Sequence, residues 1–250
     1  MRYYGLKRML NLLIFKIRNL QKEKFECPIC DYSGPFMDVT TPEGPRKHAR
    51  CPNCTASERH RLQFLVLHEV LKDKQTAHLK MLHFAPEPFF RKLFAQRFGQ
   101  YETADLKLKG VDHIVDLTNL PFDDETYDAV FASHVLEHIP DDQKAISEIR
   151  RILKPNGIAI LPVPIYSEKT IEYLEPNPHE FNHVRAPGTD YFDRYERHFS
   201  KVERFSSGSL PKKYQLFVYE DHRHLSPKEH PWLTTVQGEK FSDFVPVCYV

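Results

Sequence analysis

Short apolar runs alternate with amphipathic stretches in the middle of the chain. The segments between the apolar runs have helical spacing and predict helices at Phe89–Arg97 and Asp141–Leu153. The apolar runs predict five buried strands: Met81–Phe84, Tyr101–Asp105, His113–Asp116, Tyr127–Ser133 and Gly157–Val163. Because strands that alternate with helices form a parallel sheet covered on both faces, this order predicts an α/β fold. Its ligand crevice should lie at the carboxyl ends of the strands.

The pattern continues with one more helix and two late strands. Asp190–Phe199 has helical spacing, and Lys201–Phe205 and Lys213–Glu220 are apolar enough for strands. No long helix separates these two strands, an arrangement that resembles the reversed hairpin at the end of the sheet in class I methyltransferases. The segment Asp221–His230 contains histidines without a spacing that indicates a ligand site.

The N-terminal segment predicts an amphipathic basic helix within residues 1–24. Apolar residues recur there at helical spacing, at Leu6, Met9, Leu10, Leu13, Ile17 and Leu20. Lys16 and Arg18 interrupt the apolar run and no small-residue cleavage site follows, so a signal peptide is disfavoured. Peripheral membrane contact through residues 1–20 is one interpretation. Packing on the rest of the chain or on a partner is the commoner fate of such a helix.

Charge is distributed unevenly along the chain. Its formal net charge is +1, but residues 1–80 contribute +7 and residues 81–250 contribute −6. A basic front end could contact RNA, anionic lipid or another protein, and it could equally be a solvated surface. No stretch approaches the roughly 20 apolar residues that span a bilayer. We expect a cytoplasmic protein, at most peripheral to the membrane, because its cysteine spacing favours metal binding over disulfides.

Four of the five cysteines form two Cys-x-x-Cys pairs. Two such turns supply the four thiolates of a tetrahedral Zn²⁺ site, and the ligand set is Cys27, Cys30, Cys51 and Cys54. A Cys₄ shell is closed, so the metal should be structural and should order a zinc ribbon over residues 25–56. His48 is a weaker candidate ligand, and Cys248 is expected to be a packed thiol.

A charged cluster opens the segment after the second cysteine pair. Ser57 is a plausible N-cap, and Glu58, Arg59, His60 and Arg61 follow it. Two interpretations remain open for these side chains. They face a ligand beside the first strand of the sheet, or they are solvated in the first turn of a helix.

The order of strands and acidic residues over 101–164 resembles the adenosine-binding half of class I S-adenosylmethionine (SAM) dependent methyltransferases. The resemblance implies a Rossmann-like, mostly parallel seven-stranded sheet over residues 57–222, preceded by the zinc ribbon and followed by a C-terminal extension at 223–250. It also implies that Asp105 holds the ribose hydroxyls, that Asp116 accepts from the adenine amino group, and that Leu117 offers its backbone amide. The segment Phe131–His138 would run beneath the methyl donor.

Several segments together resemble a narrower group, the bacterial methyltransferase-domain proteins often linked with surface-polysaccharide synthesis. The segments are the cysteine pairs, Ser57–Arg61, His83–Glu87, His134–His138 and Asn182–Arg185. This resemblance covers roughly residues 25–220. It implies an acceptor that is a small molecule or a glycan, such as a surface-polysaccharide sugar.

The loop after the first strand departs from the class I pattern. No glycine occurs between Gly44 and Gly99; His83 stands in place of the family's acid, and Ala85, Glu87 and Phe89 stand in place of its glycines. A Cβ blocks close backbone approach, and Pro86 and Pro88 remove two donors. Two hypotheses follow. Glu87 pairs with the ammonium group of SAM, or the pocket is closed and the domain does not catalyse.

The sequence therefore predicts a SAM-dependent methyltransferase, with SAM and a structural Zn²⁺ as its cofactors. The predicted catalytic residues are His134, His183 and Arg185. The predicted cofactor contacts are His83, Ala85, Pro86, Glu87, Asp105, Asp116, Leu117, Ser133 and His134. Two alternatives stay open: a zinc-ribbon RNA methyltransferase and a non-catalytic methyltransferase-like binding protein. Against nucleic acid, aromatic residues are not interleaved with the N-terminal basic residues, and the catalytic part is acidic.

Overall fold

The structure is a computed structural model that describes residues 2–41, 44–234 and 238–250. Five helices are α1 Arg2–Arg18, α2 Glu58–Leu71, α3 Pro88–Arg97, α4 Asp142–Ile152 and α5 Phe192–Glu196. The first strands are β1 Phe25–Glu26, β2 Ser33–Gly34, β3 Met37–Thr41, β4 Gly44–Arg50, β5 Lys80–Phe84, β6 Gln100–Asp105, β7 His113–Ile114 and β8 Tyr127–Ala132. The later strands are β9 Leu153–Ile160, β10 Ile171–Asn177, β11 His183–Ala186, β12 Lys201–Ser206, β13 Val218–Tyr219, β14 Lys240–Phe241 and β15 Phe244–Tyr249.

The chain divides into two compact units. The first comprises the described parts of Met1–Glu69, Ser206–Leu225 and Gly238–Asp243. The second comprises the described parts of Val70–Phe205, Ser226–Gln237 and Phe244–Val250.

The second unit contains a seven-stranded sheet in the order β12-β15-β9-β8-β5-β6-β7. The pairs β9–β8, β8–β5, β5–β6 and β6–β7 are parallel, and β15 runs antiparallel to β9. The predicted mostly parallel, Rossmann-like sheet is confirmed, and its five early strands lie within a few residues of their predicted positions. Neighbouring parallel strands end at the same edge, so the loops after β5, β6, β7 and β8 follow one another along that edge.

The pattern of apolar residues explains why these segments form this sheet. The last four residues of β5 are buried, as expected for a strand covered on both faces. Helix α4 buries Ala145, Ile146 and Ile149 on one face, as its spacing predicted. Its start is fixed by Asp141, whose carboxylate accepts from the backbone N–H of Lys144 at 3.0 Å.

The predicted identity of the last strand is wrong. The antiparallel strand is β15, whereas Lys213–Glu220 contributes only β13, which pairs with β14 in the first unit. The predicted C-terminal extension therefore supplies a strand of the central sheet. Val245, Val247 and Cys248 are fully buried, which gives this strand more apolar contact than the lysine-containing segment could provide. The expectation of a packed Cys248 thiol is confirmed.

A second difference concerns the helix predicted at Asp190–Phe199. Only Phe192–Glu196 is α-helical, and a 3₁₀ turn at Thr189–Tyr191 precedes it.

The first unit contains helix α1, the cysteine-bearing segment and two small sheets. Strands β1 and β2 pair antiparallel, as do β3 and β4. Phe25, Tyr32 and Phe36 form a small core with Cys27 and Cys51, and Leu12 of α1 packs against it. Among the residues that the structure describes, none of the helices is long and apolar enough to cross a membrane.

Candidate functional site

Two carboxylates lie at the carboxyl edge of the sheet: Asp105 is the last residue of β6, and Asp116 lies in the loop after β7. Oδ1 of Asp105 accepts from the backbone N–H groups of Lys107 and Leu108, both at 2.8 Å. Oδ1 of Asp116 accepts from the backbone N–H and the hydroxyl of Thr118, at 2.8 and 2.7 Å. In both side chains one oxygen shapes the loop, and Oδ2 has no hydrogen bond to another described residue.

These bonds have an electrostatic consequence for Asp116. The backbone N–H and hydroxyl of Thr118 stabilise the charged carboxylate and lower its pKa below the ordinary value. The side chain is exposed, so its second oxygen remains available as an acceptor. The predicted partner Leu117 buries its own side chain in the core, which leaves the backbone as the part of this residue that can face a ligand.

The loop between β5 and α3 has a conformation that usually requires glycine. Ala85 has a φ of 45°, in the left-handed region, and its N–H donates to the carbonyl of Ala104 at 2.9 Å. Pro86 is buried, and Pro88 occupies the first turn of α3. Glu87 precedes that helix in an extended conformation and does not cap it through its side chain. The turn is therefore present although the sequence lacks the glycine.

His83 does not lie at this edge as a cofactor contact, contrary to its predicted role. Its side chain is fully buried, and its ring packs against the rings of Phe94 and Phe131, with centroids 5.2 Å away in both cases. Nδ1 lies 2.9 Å from the hydroxyl of Tyr101. Burial lowers the pKa of the imidazole to about 3, so the ring is neutral. His83 is a core residue because the aromatic side chains of α3 and β8 surround it.

The segment after β8 places Ser133 and His134 at the same edge as the two aspartates. Ser133 is buried, and His134 is partly exposed with a φ of 55°. The backbone N–H of His134 donates to the carbonyl of Pro162 at 2.8 Å, which ties this segment to the residues after β9. The ring nitrogen Nδ1 lies 3.4 Å from Oε1 of Glu137.

A cluster of ionisable residues follows at the 3₁₀ turn Leu136–His138. Glu137 is fully buried, His183 is buried and His138 is exposed. The rings of His138 and His183 pack edge to face with centroids 4.7 Å apart. Burial lowers the pKa of His183 to about 4. Burial alone would raise the pKa of Glu137, but the contacts with His134 outweigh it and the net shift is downward.

Arg185 belongs to the scaffold of this turn, which differs from its predicted catalytic role. Nη1 donates to the carbonyls of Leu136 and Ile139 at 2.9 and 2.7 Å, and Nη2 donates to that of Pro140 at 2.9 Å. Nε donates to Glu172 at 3.0 Å. The side chain is 3% exposed, so these contacts leave no guanidinium nitrogen for a substrate.

Glu137 and His138 were not among the catalytic residues or the cofactor contacts predicted from the sequence. The pattern His-x-x-Glu-His at 134–138 was visible. His183, the third residue of the cluster with Glu137 and His138, is remote from them in sequence. It comes close to them because β11 lies next to the turn Leu136–His138.

The four predicted metal ligands do come together in the first unit. The sulfur atoms of Cys27, Cys30, Cys51 and Cys54 all lie within 4.8 Å of one another. Cys27 and Cys54 have their Sγ atoms 3.5 Å apart, and the Cys30–Cys51 separation is 3.6 Å. A tetrahedral Zn²⁺ with Zn–S bonds of about 2.3 Å requires S–S separations of about 3.8 Å, so the arrangement fits the ion.

Two charged residues of the cluster at the start of α2 bind other segments of the first unit. Arg61 is fully buried, and its guanidinium donates to the carbonyls of Ala49 and Ala56 at 3.0 and 2.8 Å and to that of Gln215 at 2.6 Å. Glu58 is buried and accepts from Arg46 at 2.8 Å. Neither of the two interpretations from the sequence, a ligand-facing or a solvated cluster, describes these two side chains.

Comparison with known proteins finds similarity to methyltransferases. Residues 94–161 match the sequence profile of a methyltransferase domain. Over 77 residues the chain is 35% identical to a demethylmenaquinone methyltransferase from Clavibacter sepedonicus, which covers 27% of this chain and 31% of that protein. Over 129 residues it is 24% identical to a sarcosine/dimethylglycine N-methyltransferase from Halorhodospira halochloris, which covers 50% of this chain and 42% of that protein. The chain thus spans less than half the length of each relative.

Solved structures share a fold with about three quarters of this chain. An S-adenosylmethionine dependent methyltransferase from Mesorhizobium loti superposes with a TM-score of 0.51 at 12% identity, covering 77% of this chain and 100% of that chain. A protein described as a sarcosine dimethylglycine methyltransferase, from Galdieria sulphuraria, superposes with a TM-score of 0.50 at 15% identity, covering 76% of this chain and 86% of that chain. At these identities the similarity establishes the fold alone.

Proposed function

We propose that this protein transfers a methyl group from SAM to a small-molecule or glycan acceptor. The observation that carries the proposal is the placement of Asp105 and Asp116 at the ends of the neighbouring strands β6 and β7, each with one carboxylate oxygen left over. Both residues lie inside the segment 94–161 that matches a methyltransferase domain. Vicinal hydroxyls and an amino group are donors that such oxygens can accept from.

The adenosine part of SAM would lie along this edge. Asp105 accepts from the ribose hydroxyls, Asp116 from the adenine amino group, and Leu117 offers its backbone amide. The left-handed turn at Ala85 and the buried Pro86 fix the path of the chain beside the methionine part. Glu87 then supplies a carboxylate to the ammonium group, in place of the contacts that a glycine loop gives.

SAM supplies a methyl group on a sulfonium, and the sulfur leaves as a neutral thioether without protonation. The protein itself must therefore position the acceptor and remove its proton. His134 follows β8 at this edge and is partly exposed, so its imidazole can take the proton of an acceptor hydroxyl, whereas His183 is buried. Ser133 borders the same segment and helps to line the donor site.

Two relatives support a small acceptor. The names of the matched proteins from Clavibacter sepedonicus and Halorhodospira halochloris indicate small organic acceptors, demethylmenaquinone and sarcosine or dimethylglycine. The narrower assignment to a surface-polysaccharide sugar rests on sequence resemblance alone. Cytoplasmic action follows from the same proposal, because SAM is a cytoplasmic metabolite and cysteines that bind a metal instead of forming disulfides need a reducing compartment.

The four cysteines are proposed to hold a structural Zn²⁺. Their sulfur separations fit a tetrahedral ion, and the small core of Phe25, Tyr32 and Phe36 around them is too small to order residues 25–56 alone. A closed thiolate shell leaves no open position for a substrate, so this metal would stabilise the ribbon only.

Helix α1 is proposed to bring the protein to an anionic membrane surface. Leu12 packs on the ribbon core, and Lys16 Nζ lies 4.7 Å from the ring centroid of Tyr32 on the same side. The opposite side presents exposed apolar residues, among them Met9, Leu13 and Ile17. The helix also carries basic residues and no acidic ones, which is the composition of an interfacial helix.

Calorimetric titration of the zinc-loaded, full-length protein with S-adenosylhomocysteine tests the proposed activity. We expect saturable binding, and we expect Asp105→Asn and Asp116→Asn each to weaken it by about 10-fold or more, because each removes a charged acceptor. The exposed Asp73→Asn serves as the matched control and should bind as the unaltered protein does. Absence of binding to the folded protein would instead favour the non-catalytic alternative.

A further inference from the structure

A buried carboxylate and two histidines meet next to the proposed methyl-transfer site. One ligand atom of Glu137, one of His138 and one of His183 all lie within 4.8 Å of one another. Glu137 is fully buried, and neither of its carboxylate oxygens has a hydrogen-bond partner among the described residues. Nδ1 of the buried His183 also has none within the described parts of the chain.

Such a group of atoms is unfavourable without a ligand. A carboxylate in a buried position loses its hydration, and it needs either hydrogen-bond donors or a cation in return. Nδ1 of His134 lies 3.4 Å from Oε1, and this imidazole carries a charge only when it is protonated. The surrounding side chains therefore neutralise the charge of Glu137 only in part, and a bound cation would neutralise the rest.

The two segments that carry these residues are held together by the protein itself. Glu137 and His138 lie in the 3₁₀ turn after β8, whereas His183 begins β11. Arg185, two residues further along β11, donates to the carbonyls of Leu136, Ile139 and Pro140 around the turn. These three bonds fix the turn against the strand, so the three side chains converge without help from an ion.

We propose that Glu137, His138 and His183 bind one divalent first-row transition-metal ion. Two imidazoles and one carboxylate form a mixed nitrogen and oxygen set, which suits Zn²⁺, Mn²⁺ or Fe²⁺ and does not suit Ca²⁺ or Mg²⁺. The ion supplies the counter-charge that buried Glu137 needs. His138 is exposed, which gives the ion a route from solvent.

This site differs in kind from the cysteine cluster. Three protein ligands leave coordination positions open, whereas four thiolates close the shell. An open position beside His134 would accept an oxygen of a ligand, and this last step rests on the proposed methyl transfer. Binding of the ion itself does not depend on that activity.

Ring packing is the alternative explanation of the cluster. The rings of His138 and His183 already make an edge-to-face contact at an interplanar angle of 80°. In that case the histidines would serve the core alone and the site would not bind an ion.

Cobalt(II) chloride is a probe that separates the two explanations on full-length protein purified with its zinc. Cobalt at thiolates gives an intense sulfur-to-metal charge-transfer band, whereas cobalt at imidazole and carboxylate ligands gives only weak ligand-field bands. We expect one cobalt ion per chain to bind saturably with the weak bands alone while the zinc content stays unchanged. No saturable cobalt, or cobalt accompanied only by the thiolate band, would overturn the proposal.

Variants then assign the ligands. Glu137→Gln and His183→Ala should each weaken cobalt binding by about 100-fold or more, because loss of a direct ligand exceeds the 10- to 100-fold typical of outer-shell changes. His78→Ala, at an exposed histidine of the same unit, should leave the affinity unchanged. Unchanged affinity in folded Glu137→Gln would refute the assignment. If a variant fails to fold, the stoichiometry and spectrum of the unaltered protein still decide the question. S-adenosylhomocysteine titration of the same samples keeps failure of this proposal distinct from failure of the proposed activity.

Discussion

Ala85 carries the conformational cost of the missing glycine. A left-handed φ is unfavourable for a residue with a Cβ by about 1–2 kcal/mol, and glycine adopts it freely. We expect Ala85→Gly to be neutral or to stabilise the protein by up to about 1 kcal/mol, because relief of strain exceeds the extra entropy of the unfolded chain. Urea denaturation measures the difference.

The neighbouring residue Ala104 provides the control for this substitution. Ala104 is fully buried on β6, and its φ is not positive. Ala104→Gly therefore removes a packed methyl group and increases the backbone entropy of the unfolded state. That change should cost about 1 kcal/mol or more. Equal destabilisation by both substitutions would contradict a strained Ala85.

His83 predicts a dependence of stability on pH. Its folded pKa of about 3 lies below the ordinary value of 6.5, so its contribution is complete above pH 6.5 and is lost as the pH falls toward 3. His83→Phe keeps an aromatic ring among Phe94 and Phe131 but removes the proton-binding group. Between pH 6 and 5 the variant should lose stability more slowly than the unaltered protein, by about 1 kcal/mol per pH unit.

A substitution at the exposed His78 serves as the control for the pH experiment. His78 is exposed, so His78→Phe should leave the slope of stability against pH unchanged. Urea midpoints at several pH values for the three proteins give the slopes. A slope in His83→Phe equal to that of the unaltered protein would mean that His83 is not held neutral by burial.

Some candidate residues can be recognised from local order in the sequence alone. Asp105 and Asp116 could be found because strand ends are visible as apolar runs followed by acidic residues. His83 and Arg185 could not, because their surroundings come from α3, β8 and the turn after β8, which are distant in sequence. A polar residue beside an apolar run has the same local pattern whether it faces a ligand or packs in the core.

At the scale of elements, one buried side chain joins the segments of the first unit. Arg61 of α2 donates to carbonyls before and after the second cysteine pair and to that of Gln215, and its guanidinium lies 4.4 Å from the ring centroid of Phe36. Lysine has a single donor nitrogen and cannot reach these acceptors together. Arg61→Lys should therefore lower the free energy of unfolding of this unit by about 3 kcal/mol, since buried carbonyls lose their donors.

The measurement must report on the first unit. The single tryptophan, Trp232, lies in the second unit, so its fluorescence does not serve. The rate at which a thiol reagent reaches buried Cys51 at increasing urea concentration is a local readout. Arg50→Lys, at an exposed position of the same unit, should change the midpoint by less than about 0.5 kcal/mol. Equal effects at both positions would contradict the role of Arg61.

Helices and strands could be predicted where the spacing of apolar residues and the length of the segment indicate the same element. They could not be predicted where the choice of strand depends on which segments pair in the sheet. Helix α4 and strand β5 follow directly from their spacing. The choice between Lys213–Glu220 and β15 for the antiparallel strand depended on which segment buries more apolar surface against β9, and that information is not local. Strand β15 contains Pro246, and a strand can accommodate proline where no ladder bond is lost.

At the scale of the whole molecule, charge and apolar surface coincide at the N-terminus. The stripe of Met9, Leu13 and Ile17 is between 54% and 69% exposed, far more than apolar residues of a packed helix. Residues 1–80 carry the positive excess of the chain, and 81–250 the negative excess. An anionic bilayer satisfies both features at once, because its surface attracts the cations and its interface buries the stripe.

Sedimentation with vesicles tests this contact on the full-length protein. We expect binding to phosphatidylcholine vesicles that contain phosphatidylserine, and weaker binding as salt is added, since the electrostatic part is screened. Leu13→Glu removes a side chain whose burial is worth about 1.5–3 kcal/mol, so it should reduce partitioning by about 10-fold or more. Asn11→Glu adds the same charge on the side of α1 away from the stripe and should have a smaller effect. Equal losses would assign the interaction to charge alone, and absence of sedimentation by the unaltered protein would contradict the membrane proposal and leave another protein as the partner of the stripe.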